Sequence, residues 1–215
     1  MIVLHSGGMD STVCLLLARE QGHEVISLGI DYAQKSRAEL EYAKNLCGRF
    51  GVERRILHVE WDKPVRQMPM DRQVDQMKTT ISPAFLPMRN ALFLVLACAE
   101  APGAGAGQVW IGVNSLDYSG YPDCRPEFLE AFRTMIALAM DNPPEIVAPL
   151  SDISKPEIAR EAARLGLGRD DTWSCYRPIT GADGYEPCGR CDACVLHKFA
   201  WDEFLKGSDA CAPHD

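Results

Sequence analysis

The sequence predicts an α/β fold, a doubly wound and mostly parallel sheet followed by a cysteine-rich C-terminal tail. Three observations carry this. Short apolar runs alternate with stretches of helical period over the first 170 residues, the pattern that builds parallel βαβ units. The first run, MIVL, leads straight into the glycine-bearing loop HSGGMDST, as at a strand-to-helix turn that approaches a ligand. Four cysteines then gather between residues 175 and 194.

Residues 1–4 read as a short buried strand, and STVCLLLAREQG as a helix that stops at Gly22. EVISLGID, residues 24–31, is the next strand. The helix over 36–51 carries Leu40, Ala43, Leu46 and Phe50 on one face, and RRILHV is the third strand. Residues 61–87 hold Pro64, Pro69, Pro83 and Pro87 with little periodicity, which predicts a long mobile excursion over the C-terminal edge of the sheet. The helix over 88–101 is apolar nearly all round and belongs at the centre. PGAGAGQ follows a helix and precedes a strand, the reverse of a dinucleotide fingerprint, so it reads as a turn. QVWIGV, RPEFLEAFRTMIALAM and EIVAPL read as strand, helix and last strand. Ser154 and Glu157 form a capping box for a helix that ends at Gly166. A boundary near Asp170 separates an α/β domain over 1–170 from a C-terminal segment over 171–215.

Composition narrows the function classes. A chain of 215 residues suits one globular domain with a small appended module. The longest apolar run, ALFLVLACA, falls short of the ~20 residues of a membrane span. The N-terminus leaves no room for a signal peptide, so the expected location is cytoplasmic. A net charge of −8 without a Lys/Arg block argues against a nucleic-acid partner. A small anionic substrate in a local positive pocket remains compatible with it.

The loop HSGGMDST lacks the lysine of G-x-x-x-x-G-K-[ST], which reaches terminal phosphates. Its glycines permit close backbone approach, and a following helix N-terminus offers unpaired N–H groups, which together favour a phosphate or pyrophosphate. Asp10 stands where a carboxylate could help hold Mg²⁺. The bland alternative is a tight turn capped by Asp10 or Ser11.

Cys188, Cys191 and Cys194 follow C-x₂-C-x₂-C spacing, with Cys175 upstream. Together they can supply four thiolates to one tetrahedral Zn²⁺, structural because no position stays open. Its predicted role is to fold a loop-rich tail with few apolar residues. The rival is an iron–sulfur cluster on three cysteines, against which Cys175 argues. Cys14, Cys47 and Cys98 fall within helices and read as core, and Cys211 lies in a polar tail with no role.

Four further stretches matter: DYAQKSRAE, FLPMRN, GVNSLDYSGYPDCR and TWSCY. The first three fall at the sheet edge where ligands of open α/β sheets collect. In the third, Asp117, Tyr118, Tyr121, Asp123 and Arg125 combine carboxylates, aromatic faces and a guanidinium, which would suit a purine-like ring. A solvated turn built on Gly120, Pro122 and Asp123 accounts for the same string.

SGGMDST resembles the pyrophosphate loop of the N-type ATP pyrophosphatases, of adenine nucleotide alpha hydrolase-like fold. The resemblance implies that ATP is split between its α and β phosphates to give an adenylate. With DYSGYPDCRPEF, TWSCY and CGRCDAC the likeness spans nearly the whole chain, which resembles the 7-cyano-7-deazaguanine synthase family of queuosine-precursor biosynthesis. This implies a homodimer with one structural zinc per chain. It implies that 7-carboxy-7-deazaguanine is adenylated, that ammonia gives an amide, and that ATP is used again to dehydrate the amide to a nitrile. Ser6, Gly7, Gly8, Met9, Asp10, Ser11, Thr12 and Gln34 would hold ATP; Asp10, Lys35 and Arg89 would serve the reacting charges. Asp117, Tyr118, Tyr121, Asp123 and Arg125 would hold the deazaguanine. Ala33, Ser36 and His197 depart from the family's usual glycine or asparagine, histidine and arginine, and the gap from Cys175 to Cys188 is longer than usual. These departures bear on the acceptor. The alternative is therefore a paralogue that passes the acyl group to a protein or nucleic-acid amine, with a tRNA thiolase carrying an iron–sulfur cluster further off.

Overall fold

Five short strands, β1 (Ile2–Leu4), β2 (Ile26–Asp31), β3 (Glu53–His58), β4 (Gln108–Ile111) and β5 (Glu145–Val147), pair in the order β3-β2-β1-β4-β5. Every pair is parallel. They belong to a computed structural model that describes residues 1–34, 37–60, 68–77, 81–114, 120–181 and 184–209. Seven helices accompany them among these residues: α1 (Met9–Glu20), α2 (Ala38–Phe50), α3 (Val74–Met77), α4 (Arg89–Glu100), α5 (Pro126–Ala139), α6 (Lys155–Arg164) and α7 (Asp192–Asp209).

The period of two along each strand divides the core. Val3 and Trp110 point into a cluster with residues of α1, α2, α6 and α7. Ile2, Leu4, Val109 and Ile111 point the other way, against α4 and α5. Strands covered on both faces are apolar throughout rather than alternating, which is why MIVL and QVWI read as they do. Cys14, Cys47 and Cys98 are buried in these two clusters.

The chain runs outward from β1 through β2 to β3, then returns to the centre to place β4 on the other side of β1. The connections after β1 and β4 therefore leave in opposite directions, opening a crevice at the C-terminal ends of these strands. α1 begins at Met9, two residues before the expected start, and its N-cap is Gly8, with no side-chain capping bond. Neither Asp10 nor Ser11 caps the helix, and among the described residues no side chain caps its first-turn N–H groups at the crevice.

One expectation is corrected. The tail is not mainly loop: α7 takes up 18 of its residues. Ala200 and Trp201 join the cluster shared with α1 and α6, and Phe204 packs on it, so the spacing of Leu196, Ala200, Trp201 and Phe204 makes an apolar helical face. Ahead of α7, β6 (Ile179–Gly181) and β7 (Gly184–Glu186) pair antiparallel and occupy the long gap between Cys175 and Cys188. Part of the proline-rich stretch, residues 61–67 and 78–80, lies outside the described residues, and its described part touches the tail. Met70 bridges to Cys191, Arg190 donates to Asp71 at 2.8 and 2.5 Å, and Arg72 pairs with Asp192. Among the described residues no helix is long and apolar enough to cross a membrane.

Candidate active site and metal centre

A cavity of about 620 Å³ opens at the crevice. Ser6, Gly8, Met9, Asp10 and Ser11 line the side formed by the glycine loop and the start of α1, and Gln34, Arg89 and Tyr121 also line it. Gly7 lies just behind. Its φ is +93°, and a Cβ there would stand 2.5 Å from the Glu39 carbonyl oxygen and 2.9 Å from Ala43 N, so only glycine fits. The Gly7 carbonyl accepts from Trp173 N–H at 2.9 Å, which ties TWSCY to the loop. Ser6 N–H donates to Ser11 Oγ at 3.2 Å, and Ser11 Oγ–H donates to the Gly8 carbonyl at 3.0 Å.

Beneath the loop, hydrogen bonds fix a histidine. Thr12 Oγ1–H donates to the Gly8 carbonyl at 2.8 Å, so the His5 Nε2 atom, 3.1 Å from Thr12 Oγ1, carries the ring proton and donates. His5 Nδ1 then accepts from Ser27 Oγ at 2.9 Å, and Ser27 Oγ accepts from Arg54 at 2.9 Å. Burial, with the Arg54 charge, pulls His5 down to about 3. The loop thus rests on a neutral imidazole with both nitrogens engaged.

Across the crevice, Gly112 follows β4 and meets the start of α1. A Cβ at this position would stand 2.9 Å from Ser11 N and 3.0 Å from the Asp10 carbonyl carbon, so the two connections touch backbone to backbone. The sequence reading took Gly112 as part of a strand. It also passed over Lys155, whose Nζ donates to Asp10 Oδ2 at 2.5 Å and which lines the cavity. The one local sign was a lysine in the first turn of a helix, where it opposes the macrodipole.

Arg89 opens α4. Burial works against its charge, but Tyr32, Tyr121, Tyr176 and Asp123 outweigh burial and hold the guanidinium above its usual range. Asp123 sits in the 3₁₀ turn Pro122–Cys124 and does not line the cavity. Its Oδ2 accepts from Asn90 N–H and its carbonyl from Asn90 Nδ2, each at 3.1 Å, so it secures the first turn of α4. Burial pushes its carboxyl up. Arg125 is the N-cap residue of α5 and is absent from the lining. Lys35, Ser36, Asp117 and Tyr118 lie outside the described residues.

Glu39, in the first turn of α2, lines the cavity and was also passed over. Burial pushes it up to about 7, against the pull of Arg89. His197 on α7 lines the opposite wall. Its Nε2–H donates to the Arg169 carbonyl at 2.9 Å, so Nδ1 accepts from Ser174 Oγ at 3.2 Å. Burial lowers its pKa, and the wall carries an imidazole where the resemblance implies an arginine. Ala33 has φ +54°, a left-handed conformation that glycine adopts freely. Ala33→Gly is therefore expected to raise stability by about 1 kcal/mol, read as a higher urea midpoint at unchanged slope.

The Sγ atoms of Cys175, Cys188, Cys191 and Cys194 all lie within 4.8 Å of one another. Backbone N–H groups of Arg177 and Cys188 each donate to Cys175 Sγ at 3.3 Å. A hydrogen bond between Cys191 and Cys194 pulls the first thiol below its usual range and pushes the second above it, while burial pushes Cys175 up to about 11. Four thiols so close cannot all ionise unless a cation stands among them. The donor set fits a metal ion, and the group could hold one.

Comparison with known proteins places this geometry. The family model described as "Queuosine biosynthesis protein QueC" matches residues 1–205. A 7-cyano-7-deazaguanine synthase 2 from Rhodopseudomonas palustris (strain HaA2) is 51% identical over 203 residues, covering 94% of this chain and 97% of its own. A 7-cyano-7-deazaguanine synthase from Novosphingobium aromaticivorans is 45% identical over 218 residues, covering 94% and 89%. Among solved structures, NMN synthetase from Francisella tularensis superposes with a TM-score of 0.53 at 14% identity, over 100% of this chain and 88% of its own. The U34-tRNA thiolase NcsA from Methanococcus maripaludis gives 0.52 at 14%, over 97% and 66%. These two share the fold. The match over residues 1–205, with half of the aligned positions identical in a synthase matched over 97% of its length, establishes that this chain is an enzyme of the queuosine biosynthesis QueC family.

Proposed function

We propose that the chain converts 7-carboxy-7-deazaguanine, ATP and ammonia to 7-cyano-7-deazaguanine through an acyl-adenylate and an amide. The observation that carries this is one cavity joining the start of α1 to Arg89, so a phosphate-binding backbone and a carboxylate-binding guanidinium face the same space. The names of the relatives support the product.

In this reading Arg89 grips the substrate carboxylate, and Tyr121 offers a face to the ring. A carboxylate oxygen attacks the α phosphorus of ATP, and pyrophosphate leaves toward the first-turn N–H groups of α1 and Lys155. Gln34 and Lys35 assist at the nucleotide. Ammonia displaces AMP from the acyl carbon to give the amide. In the second round the amide oxygen attacks a fresh α phosphorus and leaves on AMP as the nitrile forms. No side chain serves as nucleophile, so rate comes from orientation and from charge stabilisation.

Mg²⁺ accompanies ATP. The Asp10 carboxylate, an oxygen donor beside the loop, suits such a hard cation, which would neutralise phosphate charge. Zn²⁺ is the metal proposed for the four cysteines. It would hold residues 171–215 on the 1–170 unit, which the packing of Ala200 and Trp201 against α1 and α6 supports. Asp123 acts through Asn90 in placing Arg89, and the homodimer implied by the resemblance belongs to the same reading.

Mass spectrometry of the purified chain with 7-carboxy-7-deazaguanine, Mg·ATP and ammonium tests it. Amide is expected first and nitrile next, and added amide alone is expected to be dehydrated. Amide that accumulates at excess ATP without nitrile overturns the reading.

A further inference from the structure

We propose that Glu39 is the general base of the ammonia step, taking a proton from the nitrogen that replaces AMP; this rests on the reaction proposed above. Its place in the cavity is the first argument. Glu39 belongs to the turn of α2 whose carbonyl lies against Gly7, and its side chain lines the cavity that Arg89 also lines. It therefore stands between the phosphate loop and the carboxylate grip, where the acyl–phosphate bond is made and broken.

The second argument is elimination. Among the described residues that line the cavity, the carboxylates are Asp10 and Glu39, and Asp10 is paired with Lys155. The histidines are His5 and His197, and both have each ring nitrogen engaged. No hydrogen bond or ion pair among the described residues occupies the Glu39 carboxylate. The groups that face it are Arg89 from α4 and Tyr32 at the end of β2. Held up to about 7 chiefly by burial, it can both accept and release a proton near neutrality.

The balance is simple. An ammonium ion in the cavity gives one proton to a Glu39 oxygen and becomes ammonia. Its lone pair attacks the acyl carbon, the C–N bond forms, and AMP leaves with the electron pair of the C–O bond. The nitrogen sheds a further proton to solvent, leaving the neutral amide, and Glu39 releases its own proton to solvent. In the second round the adenylated amide, which has already lost one N–H proton to solvent, gives its remaining N–H proton to Glu39 while the C–O bond to AMP breaks. The oxygen departs on AMP, and carbon and nitrogen are left triply bonded.

Glu39→Gln keeps the shape and removes the base, and it is tested in the full chain with Mg·ATP and 7-carboxy-7-deazaguanine. Exchange of labelled pyrophosphate into ATP, which reports adenylation alone, is expected to stay within a few fold of wild type. Amide formation from ammonium is expected to fall by about 100-fold or more. Hydroxylamine, neutral at the same pH, needs no base before attack, so hydroxamate formation is expected to be nearly unchanged. The wild-type ammonium rate should fall as pH drops through about 7, where Glu39 becomes protonated. The variant rate should instead follow free ammonia throughout. Loss of pyrophosphate exchange in the variant, or an equal loss with hydroxylamine and ammonium, overturns the role of Glu39. A wild-type chain without exchange overturns the proposed reaction and this role together.

Discussion

Cys191→Ser is expected to strip the metal from the chain and to release α7. Metal analysis should give about one zinc per wild-type chain, by the four-ligand rule, and far less in the variant. Cys191 is fully buried, bridges to Met70, and directly precedes α7. A structural zinc contributes about 10–16 kcal/mol of binding free energy that is also folding free energy. That is as large as the whole stability of an ordinary domain, about 5–15 kcal/mol. The segment therefore should not stay folded without the ion. Freeing α7 would expose Trp201, now buried, and shift tryptophan emission to the red. A chelator should do the same to wild type. Iron with sulfide in the metal analysis, or full zinc and unchanged emission in the variant, would contradict this account.

Asp10→Asn should slow pyrophosphate exchange by about 100-fold. Asp10 serves two cations in this account: it holds Lys155 at 2.5 Å, and it offers an oxygen donor beside the phosphates. The amide can still accept one hydrogen bond from Lys155 but carries no charge, so the ammonium is held less firmly where pyrophosphate departs. The pair is mostly buried, with 11% and 20% of the two side chains exposed, so the fold should lose about 1–3 kcal/mol. Measuring exchange well below the melting temperature separates the two effects. Undiminished exchange would remove Asp10 from the site.

The fold was legible where local chemistry constrains the chain strongly. MIVL and QVWI announce strands covered on both faces, and the alternation with helices gives a parallel sheet. At Gly7 a side chain would strike the backbone of α2, so the residue is visible as a glycine. The C-x₂-C-x₂-C spacing survives folding because three ligands lie on one turn and the start of one helix. What escaped was set by tertiary distance. Lys155 is 145 residues from Asp10, and no pattern near either announces the other. Glu39 looks like any acid in the first turn of a helix. The string around Asp123 and Arg125 names suitable groups, but only the 3₁₀ turn decides that Asp123 points under α4. The apolar face of α7 is sparse in sequence, Leu196, Ala200, Trp201 and Phe204 standing among charged residues, and becomes a core face only against α1 and α6.

The cavity wall made by α7 has a consequence in time. The glycine loop after β1 is complete by residue 12, whereas Ala193, Leu196 and His197, which also line the cavity, come about 180 residues later. A chain emerging from the ribosome carries this turn, the proposed ATP loop, long before it has a compartment around it. If the four cysteines hold the proposed zinc, metal supply becomes a checkpoint on manufacture: a finished chain starved of the ion would own the turn and lack the room.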